Sequence, residues 1–109
     1  MFVAQVLGES MNRRIPNGAW CIFRLNPKGS RANRVVVAEH RNIHDPDTGG
    51  AYTIKVYHSE KTSAESGEWR HSQIRLSPDS SDPTFHDLVF DSKSAEGVRI
   101  VAELVAVLS

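Results

Sequence analysis

The residue with the clearest chemical potential is a serine at a predicted junction between a strand and a turn. Ser10 follows the short apolar run Phe2 to Leu7 and a glycine. A serine displayed at such a junction has an exposed hydroxyl, and the backbone N–H groups beside it are free to bind an anion. The alternative is a turn or helix-cap serine, but Arg13 holds the capping-box position where Glu or Gln belongs. We therefore expect Ser10 to be a nucleophile.

A nucleophilic serine needs a base, because its hydroxyl reacts poorly until a neighbour takes the proton. Five histidines are available, but a Ser-His-Asp triad assembles in space, so spacing along the chain selects none of them. His86 and Asp87 are adjacent in sequence, yet neighbours on a strand point to opposite faces, which argues against their direct pairing. A histidine base stays open, with no residue favoured.

Lys55 is the stronger candidate for the base. It lies in the alternating segment Ala51 to His58, where Ile54 and Val56 share one face and Lys55 lies on the other. If the apolar face enters the core, Lys55 lines the opposite surface, where a cleft beside Ser10 is expected. An ordinary lysine has a pKa of about 10.4, and apolar enclosure lowers it by up to about 3–5 units, enough to make a usable base. Spacing alone favours a solvated strand lysine.

Short strands separated by turns are predicted to position these residues. The strands are marked by apolar and β-branched runs: Phe2 to Leu7, Ala19 to Leu25, Val35 to Ala38, Ala51 to His58, Gln73 to Leu76, Leu88 to Phe90 and Val98 to Leu108. The last run also has helical spacing, but its valines favour a central strand. We expect a hairpin connection at 40–50, a loop at 78–83 and a mobile polar loop at 59–72. The pattern predicts an all-β fold in a single domain, residues 1–109.

Composition argues against several classes of function. Thirteen basic residues balance thirteen acidic ones, so no electrostatic footprint for nucleic acid or an anionic membrane is present. No run approaches the length of about 18 apolar residues typical of a membrane span, and a signal peptide is not evident. Cys21 is the only cysteine, which excludes an intrachain disulfide and fits a reducing compartment. We expect a cytoplasmic protein with neither a membrane nor a direct nucleic-acid partner.

Other residue clusters carry weaker signals. His40, His44, Asp45 and Asp47 are metal-ligand types, but the proline and glycines among them indicate a turn, so no metal site and no cofactor are expected. Cys21 is expected in the core. The two tryptophans suit a core or an interface, and Trp69, in the polar stretch, is the better candidate for meeting a partner.

Three blocks in this order resemble the catalytic domain of the LexA-type serine peptidases, shared by LexA, UmuD and many phage repressors and distantly related to signal peptidases. Val6-Leu-Gly-Glu-Ser-Met11, with Ile15-Pro-Asn-Gly18, resembles the Gly-x-Ser-Met motif and its turn. Tyr52-Thr-Ile-Lys-Val-Tyr57 resembles the strand that carries the family lysine. Ile74-Arg-Leu-Ser-Pro-Asp79 and Val101-Ala-Glu-Leu-Val-Ala-Val107 resemble the last strands. The resemblance covers nearly the whole chain.

The resemblance implies a function for each block. Ser10 would attack a peptide carbonyl while neutral Lys55 takes its proton, and the backbone N–H groups of Ser10 and Glu9 would form the oxyanion hole. Glu9 would not act as a catalytic acid. The fold would be a partly closed β-barrel of short, mostly antiparallel strands, and the partners would be a peptide or protein substrate and a second copy in a homodimer.

One departure from the family concerns the substrate. Family repressors cleave their own chain well upstream of the serine, whereas nine residues precede Ser10 and read as the strand leading into it. They span about 30 Å when extended, and they cannot be both that strand and the substrate. We therefore expect cleavage in another chain or in a longer parent protein. The alternative is a non-catalytic module that keeps the fold for dimerisation or peptide binding.

Overall fold

Seven strands and one short 3-10 helix are present in the computed structural model, which describes residues 1–27, 29, 31–41, 43, 51–63 and 69–108, with the backbone alone at 60–63 and 69–72. The strands are β1 (Phe2–Val6), β2 (Ala19–Leu25), β3 (Val35–Glu39), β4 (Tyr52–Ser63), β5 (Trp69–Ser77), β6 (Leu88–Asp91) and β7 (Arg99–Val107), and the 3-10 helix is Ala95–Gly97. In this described part, no helix has the length and apolar character needed to cross a membrane. The predicted all-β class is confirmed.

All pairings between strands are antiparallel, and the strands form one sheet in the order β1-β2-β7-β3-β4-β5-β6. Strand β7 lies between β2 and β3, so the prediction of a central strand near the end of the chain is confirmed over its helical alternative. Its β-branched side chains suit a pleated, buried surface. Strands β1 and β6 lie at the two ends, and no pairing between described residues closes the sheet. Barrel closure therefore stays a prediction.

Two clusters of apolar side chains form the core. The first cluster joins β1, β2 and the turn between them to the middle of the sheet: Val6, Met11, Ile15, Ala19, Cys21, Phe23, Val35, Val56 and Ala102. The second joins β3, β4, β5 and β6: Val36, Ala38, Ile43, Tyr57, Ile74, Leu76, Phe90 and Ala95. Strand β3 contributes Val35 to the first cluster and Val36 and Ala38 to the second, so it is covered on both faces.

In the polar stretch 59–72, residues 59–63 and 69–72 form strands and not the loop that their composition predicts, and residues 64–68 lie outside the described residues. Strand β4 continues to Ser63 and β5 begins at Trp69, with Ser59 paired to Ile74 and Ser63 to Trp69. Backbone groups form the ladder hydrogen bonds, so a hairpin can extend through polar residues that lack apolar alternation. The prediction failed because apolar periodicity reports burial of side chains and not strand pairing. Trp69 thus begins a strand, and its side chain lies outside the described part.

The connection between β3 and β4 joins neighbouring antiparallel strands, as expected of a hairpin. Residues 42 and 44–50 of that connection lie outside the described residues. The metal-ligand types His44, Asp45 and Asp47 fall in this stretch. Among the residues that are described, no group of three or more His, Cys, Asp or Glu side chains is placed to hold a metal ion.

Candidate active site

Ser10 lies on a compact turn between β1 and β2, anchored by two buried apolar side chains. Met11 and Ile15 both enter the first core cluster. The N–H groups of Arg14 and Ile15 donate to the carbonyl oxygen of Met11 at 2.9 and 2.7 Å. These hydrogen bonds form one helical turn from Met11 to Ile15. Ser10 therefore directly precedes a rigid turn whose first residue, Met11, is buried in the core.

The two ends of the turn are tied together at its base. The N–H of Gly18 donates to the carbonyl oxygen of Val6 at 2.7 Å, and the N–H of Gly8 donates to Asn17 Oδ1 at 2.8 Å. Gly8 has φ = 109° and Gly18 has φ = 86°, conformations that glycine adopts without steric cost. The glycines thus let β1 leave and β2 re-enter the sheet at adjacent points.

A second segment, residues 78–82, braces this turn from outside. The backbone N–H of Asp79 donates to the carbonyl oxygen of Ser10 at 3.0 Å, and its carbonyl oxygen accepts from the N–H of Arg13 at 3.1 Å. Arg14 Nε lies 2.7 Å from Asp79 Oδ2. Ser80 Oγ donates to the carbonyl oxygen of Glu9 at 2.7 Å. We call residues 78–82 the brace segment.

The brace segment also holds Asn12 through reciprocal hydrogen bonds. Asn12 Nδ2 donates to Ser81 Oγ at 3.0 Å, while the N–H of Ser81 donates to Asn12 Oδ1 at 2.8 Å. The sequence predicts a loop at 78–83, but no residue type in it indicates a part in the site. Polar residues occur both in the turn that carries Ser10 and in the brace segment, which is compatible with hydrogen bonds between them. Nothing in the sequence, however, indicates that these two segments lie side by side.

Lys55 meets Ser10 directly. Lys55 Nζ donates to Ser10 Oγ at 3.1 Å, to Thr53 Oγ1 at 2.6 Å and to the carbonyl oxygen of Ile54 at 3.1 Å. The lysine is 6% exposed. Three donated hydrogens correspond to the charged ammonium. In the neutral amine, Thr53 and Ile54 keep the two remaining hydrogens, and the lone pair accepts from the Ser10 hydroxyl. This arrangement has the geometry of a nucleophile and its base.

The surroundings of Lys55 differ from those predicted. Val56 enters the first core cluster with Ile54 packed against it, as predicted. The opposite face, however, is not an open surface, because Thr53, Lys55 and Tyr57 are all buried. Strand β4 is therefore covered on both sides at this point, and the alternation of side chains gave no sign of the second layer. Lys55 is therefore enclosed by protein on this face as well.

The predicted oxyanion hole consists of the backbone N–H groups of Glu9 and Ser10. In the described part of the chain, neither N–H donates a hydrogen bond. The carbonyl oxygens of both residues are occupied, by Ser80 and by the Asp79 N–H. The brace segment thus fixes the peptide planes beside the serine while leaving two donors available. Glu9 itself is exposed, and its carboxylate accepts a hydrogen bond from Asn12.

An apolar groove of about 350 Å³ lies close to the pair, with neither Ser10 nor Lys55 among its lining residues. One wall is the inner side of β1 and the start of the turn, and the other is formed by the ends of β3 and β4. Leu7, three residues before Ser10, and Thr53, which binds Lys55, both line it. The groove is therefore placed to hold an extended chain next to the serine.

The other candidate residues lie apart from this site or outside the described residues. His86 and Asp87 are both exposed, and Asp87 lies 3.4 Å from Arg75. His40 is buried in contact with Phe90, and its Nε2 lies 2.9 Å from the carbonyl oxygen of Ser94. Cys21 is a fully buried core residue, as predicted, and burial raises the pKa of its thiol.

Comparison with known proteins adds no family assignment. No protein-family model matches the sequence, and no curated protein matches it significantly.

Proposed function

We propose that this chain is a serine endopeptidase-like domain of the LexA type, in which Ser10 is the nucleophile and Lys55 the general base. The observation that carries the proposal is the 3.1 Å hydrogen bond between buried Lys55 and Ser10 Oγ. The single sheet of antiparallel strands is compatible with the partly closed barrel of that family. The order of the Ser-Met and strand-lysine motifs along the chain adds support.

The proposed reaction follows from the positions of these groups. Ser10 Oγ attacks the substrate carbonyl carbon while neutral Lys55 Nζ takes the hydroxyl proton. The N–H groups of Glu9 and Ser10 donate to the oxyanion that develops. The C–N bond then breaks as Lys55 returns the proton to the leaving amine. A water molecule, deprotonated by the same lysine, releases the acyl group from Ser10. No metal or cofactor takes part in these steps.

The groove supports a peptide as the substrate. Its walls are largely apolar, and an extended segment with small residues at the scissile bond would place its carbonyl beside Ser10. We propose that this segment belongs to another chain or to a longer parent protein.

A second candidate function is a dimerisation or peptide-binding module without catalysis. The outer face of β1 and β2, with the residue that directly follows β7, carries Val3, Trp20 and Leu108, which are 55%, 49% and 53% exposed. Val3 pairs with Ile22, and the N–H of Leu108 donates to the carbonyl oxygen of Trp20, so these side chains lie on one face. An exposed apolar face is typical of interaction surfaces. Sedimentation of the wild type and Trp20→Glu would detect a homodimer formed through this face.

The proposal is tested by offering peptides with small residues at the scissile bond, at pH 7 and pH 10. We expect cleavage that rises with pH and that falls at least about 100-fold in Ser10→Ala and Lys55→Ala. Mass spectrometry of the products and circular dichroism of the variants are the measurements. Equal product formation by the wild type and folded Ser10→Ala would refute a role for the serine, and no cleavage by the wild type would favour the non-catalytic module.

A further inference from the structure

The groove beside Ser10 carries a formal charge at one position among its described lining residues. Most of its walls are apolar, with Phe2, Phe23, Val37 and Ile54 among them. Gln5 and Thr53 add neutral polar groups. Glu39, at the end of β3, contributes a carboxylate. Because Glu39 is the one charged residue among the described lining residues, ligands that differ in charge near Glu39 should bind this groove with different affinity.

The Glu39 carboxylate is available to a ligand. Glu39 is exposed, and in the part of the chain that the structure describes no ion pair or hydrogen bond engages its carboxylate. Arg99 on β7 lies opposite Glu39 in the ladder between β3 and β7, but the two side chains are not within ion-pair distance. Low-dielectric walls focus the field of a charge within a cleft, so Glu39 favours a cation in this groove.

Tyr52 adds a second feature that favours a cation. It pairs with Glu39 in the ladder between β3 and β4, so the two side chains lie on the same face of the sheet. Tyr52 also lines the groove and is 49% exposed. An aromatic ring attracts a Lys or Arg side chain through cation–π contact. A basic side chain at this place would meet a carboxylate and an aromatic ring together.

The distance from the proposed catalytic pair sets the position of that side chain in the substrate. Tyr52 and Glu39 lie opposite each other on the face of β4 that lines the groove, and Lys55, three residues farther along β4, projects to the other face. Three residues of a strand span about 10 Å, which is also the length of three residues of an extended peptide. We propose that the groove selects extended peptides with a Lys or Arg about three residues from the scissile bond. This inference rests on the proposed function for the position of that bond.

The test is a charge exchange between Glu39 and the substrate. Peptides with Lys, Gln or Glu at each of the four positions on either side of the scissile bond are compared on wild type, Glu39→Gln and Glu39→Lys. We expect the wild type to prefer Lys over Glu about five- to tenfold in kcat/KM at the third position on one side, mainly through KM. Glu39→Gln should remove the preference and Glu39→Lys should reverse it. High salt should weaken it.

Matched controls separate this inference from the proposed function. Glu96→Gln removes an exposed carboxylate that does not line the groove, and it should leave the preference unchanged. Binding of the same peptides to Ser10→Ala, measured by fluorescence anisotropy, needs no cleavage. Tighter binding of Lys peptides that is lost in Ser10→Ala/Glu39→Gln would support charge selection even if the wild type cuts nothing. An equal response of the wild type and Glu39→Gln to Lys and Glu peptides would overturn the inference.

Discussion

Thr53 shapes the contact between Lys55 and Ser10. Its hydroxyl oxygen lies 2.6 Å from Lys55 Nζ, the shortest of the three described contacts of that amine, and the residue is 1% exposed. Because Thr53 and Lys55 are two residues apart on β4, their side chains leave the strand on the same face. The strand itself therefore holds the amine beside the Thr53 hydroxyl, and we propose that Thr53 positions the amine toward Ser10.

Replacing Thr53 with valine tests this role. The change keeps the shape of the side chain but removes the oxygen, so Lys55 loses one fixed partner and a buried polar group is left less satisfied. We expect kcat for peptide cleavage to fall about 10- to 100-fold with a smaller change in KM. Thr53→Ser, which restores the hydroxyl, should recover most of the rate. Unchanged kcat in a folded Thr53→Val protein would show that the hydroxyl does not position the amine.

Cys21 gives a second prediction for a single residue. The side chain is 0% exposed, and burial raises the pKa of its thiol. Because the thiolate is the reactive form, the native protein should react with iodoacetamide far more slowly than the unfolded chain. Mass spectrometry of protein treated with and without denaturant measures the difference. Rapid alkylation of the native protein at pH 8 would contradict the placement of Cys21 in the core.

The raised thiol pKa also links stability to pH. The neutral thiol contributes its full share to the free energy of unfolding when the pH is below the pKa of the thiol in the unfolded chain. That contribution is lost as the pH rises toward the higher pKa of the thiol in the native protein. Cys21→Ala should therefore lose less stability than the wild type between pH 8 and pH 10.

At the scale of elements, the turn that carries Ser10 and the brace segment form one unit. Ser80 is central to it, since Ser80 Oγ donates to the carbonyl oxygen of Glu9 and accepts from the N–H of Asp82 at 3.0 Å. The unit fixes the backbone on both sides of the serine.

Ser80→Ala should loosen this unit. A hydrogen bond contributes about 1 kcal/mol, so we expect the free energy of unfolding to fall by about 1–2 kcal/mol and cleavage to slow several-fold. Ser92→Ala, a change at an exposed residue directly after β6, is the control and should alter neither. Urea unfolding and peptide cleavage are the measurements. Full activity and stability in Ser80→Ala would show that the brace segment does not hold the turn.

Most strands, but not this unit, could be predicted from the sequence. Strand β2 was predicted at its observed bounds, and β7 was predicted as a central strand, because apolar and β-branched runs report buried pleated surface. The polar ends of β4 and β5 were not predicted as strands, because they contain no apolar or β-branched run. Ser10 and Lys55 were identified by residue type and by resemblance, but their contact spans 45 residues and the brace contacts span up to 71. No local rule predicts contacts at such separations.

At the scale of the whole molecule, the fold brings the two halves of the candidate site together within one sheet. The central strand β7 carries Glu103, a buried carboxylate that lies 2.8 Å from Arg34 and 3.4 Å from Arg24. Arg24 belongs to β2 and Arg34 directly precedes β3, so this pairing links the part of the chain next to Ser10 with the part next to Lys55. A substitution that removes only the Glu103 charge would leave Arg24 and Arg34 without the carboxylate that both contact.

Acid should destabilise the whole fold, and Asp91 is one identifiable cause. The hydrogen bond from the Ser94 N–H, together with that from its hydroxyl, lowers the pKa of the Asp91 carboxyl. A lowered native pKa gives stability that is present above the unfolded value of about 3.9 and is lost as the pH falls through the native pKa. Asp91→Asn should therefore lose less stability than the wild type between pH 5 and pH 2. Urea unfolding across that range checks this, and an identical pH dependence in both proteins would contradict it.

The most direct test of the Ser10/Lys55 assignment is acylation of Ser10 by an activated ester as a function of pH, followed by intact-mass and peptide-mapping mass spectrometry. We predict a single adduct on Ser10 whose rate of formation rises with pH as one group loses its proton. That adduct should fall at least about 100-fold in Lys55→Ala and be absent in Ser10→Ala. A native protein that forms no adduct on Ser10, or that forms it equally fast without Lys55, would contradict the assignment.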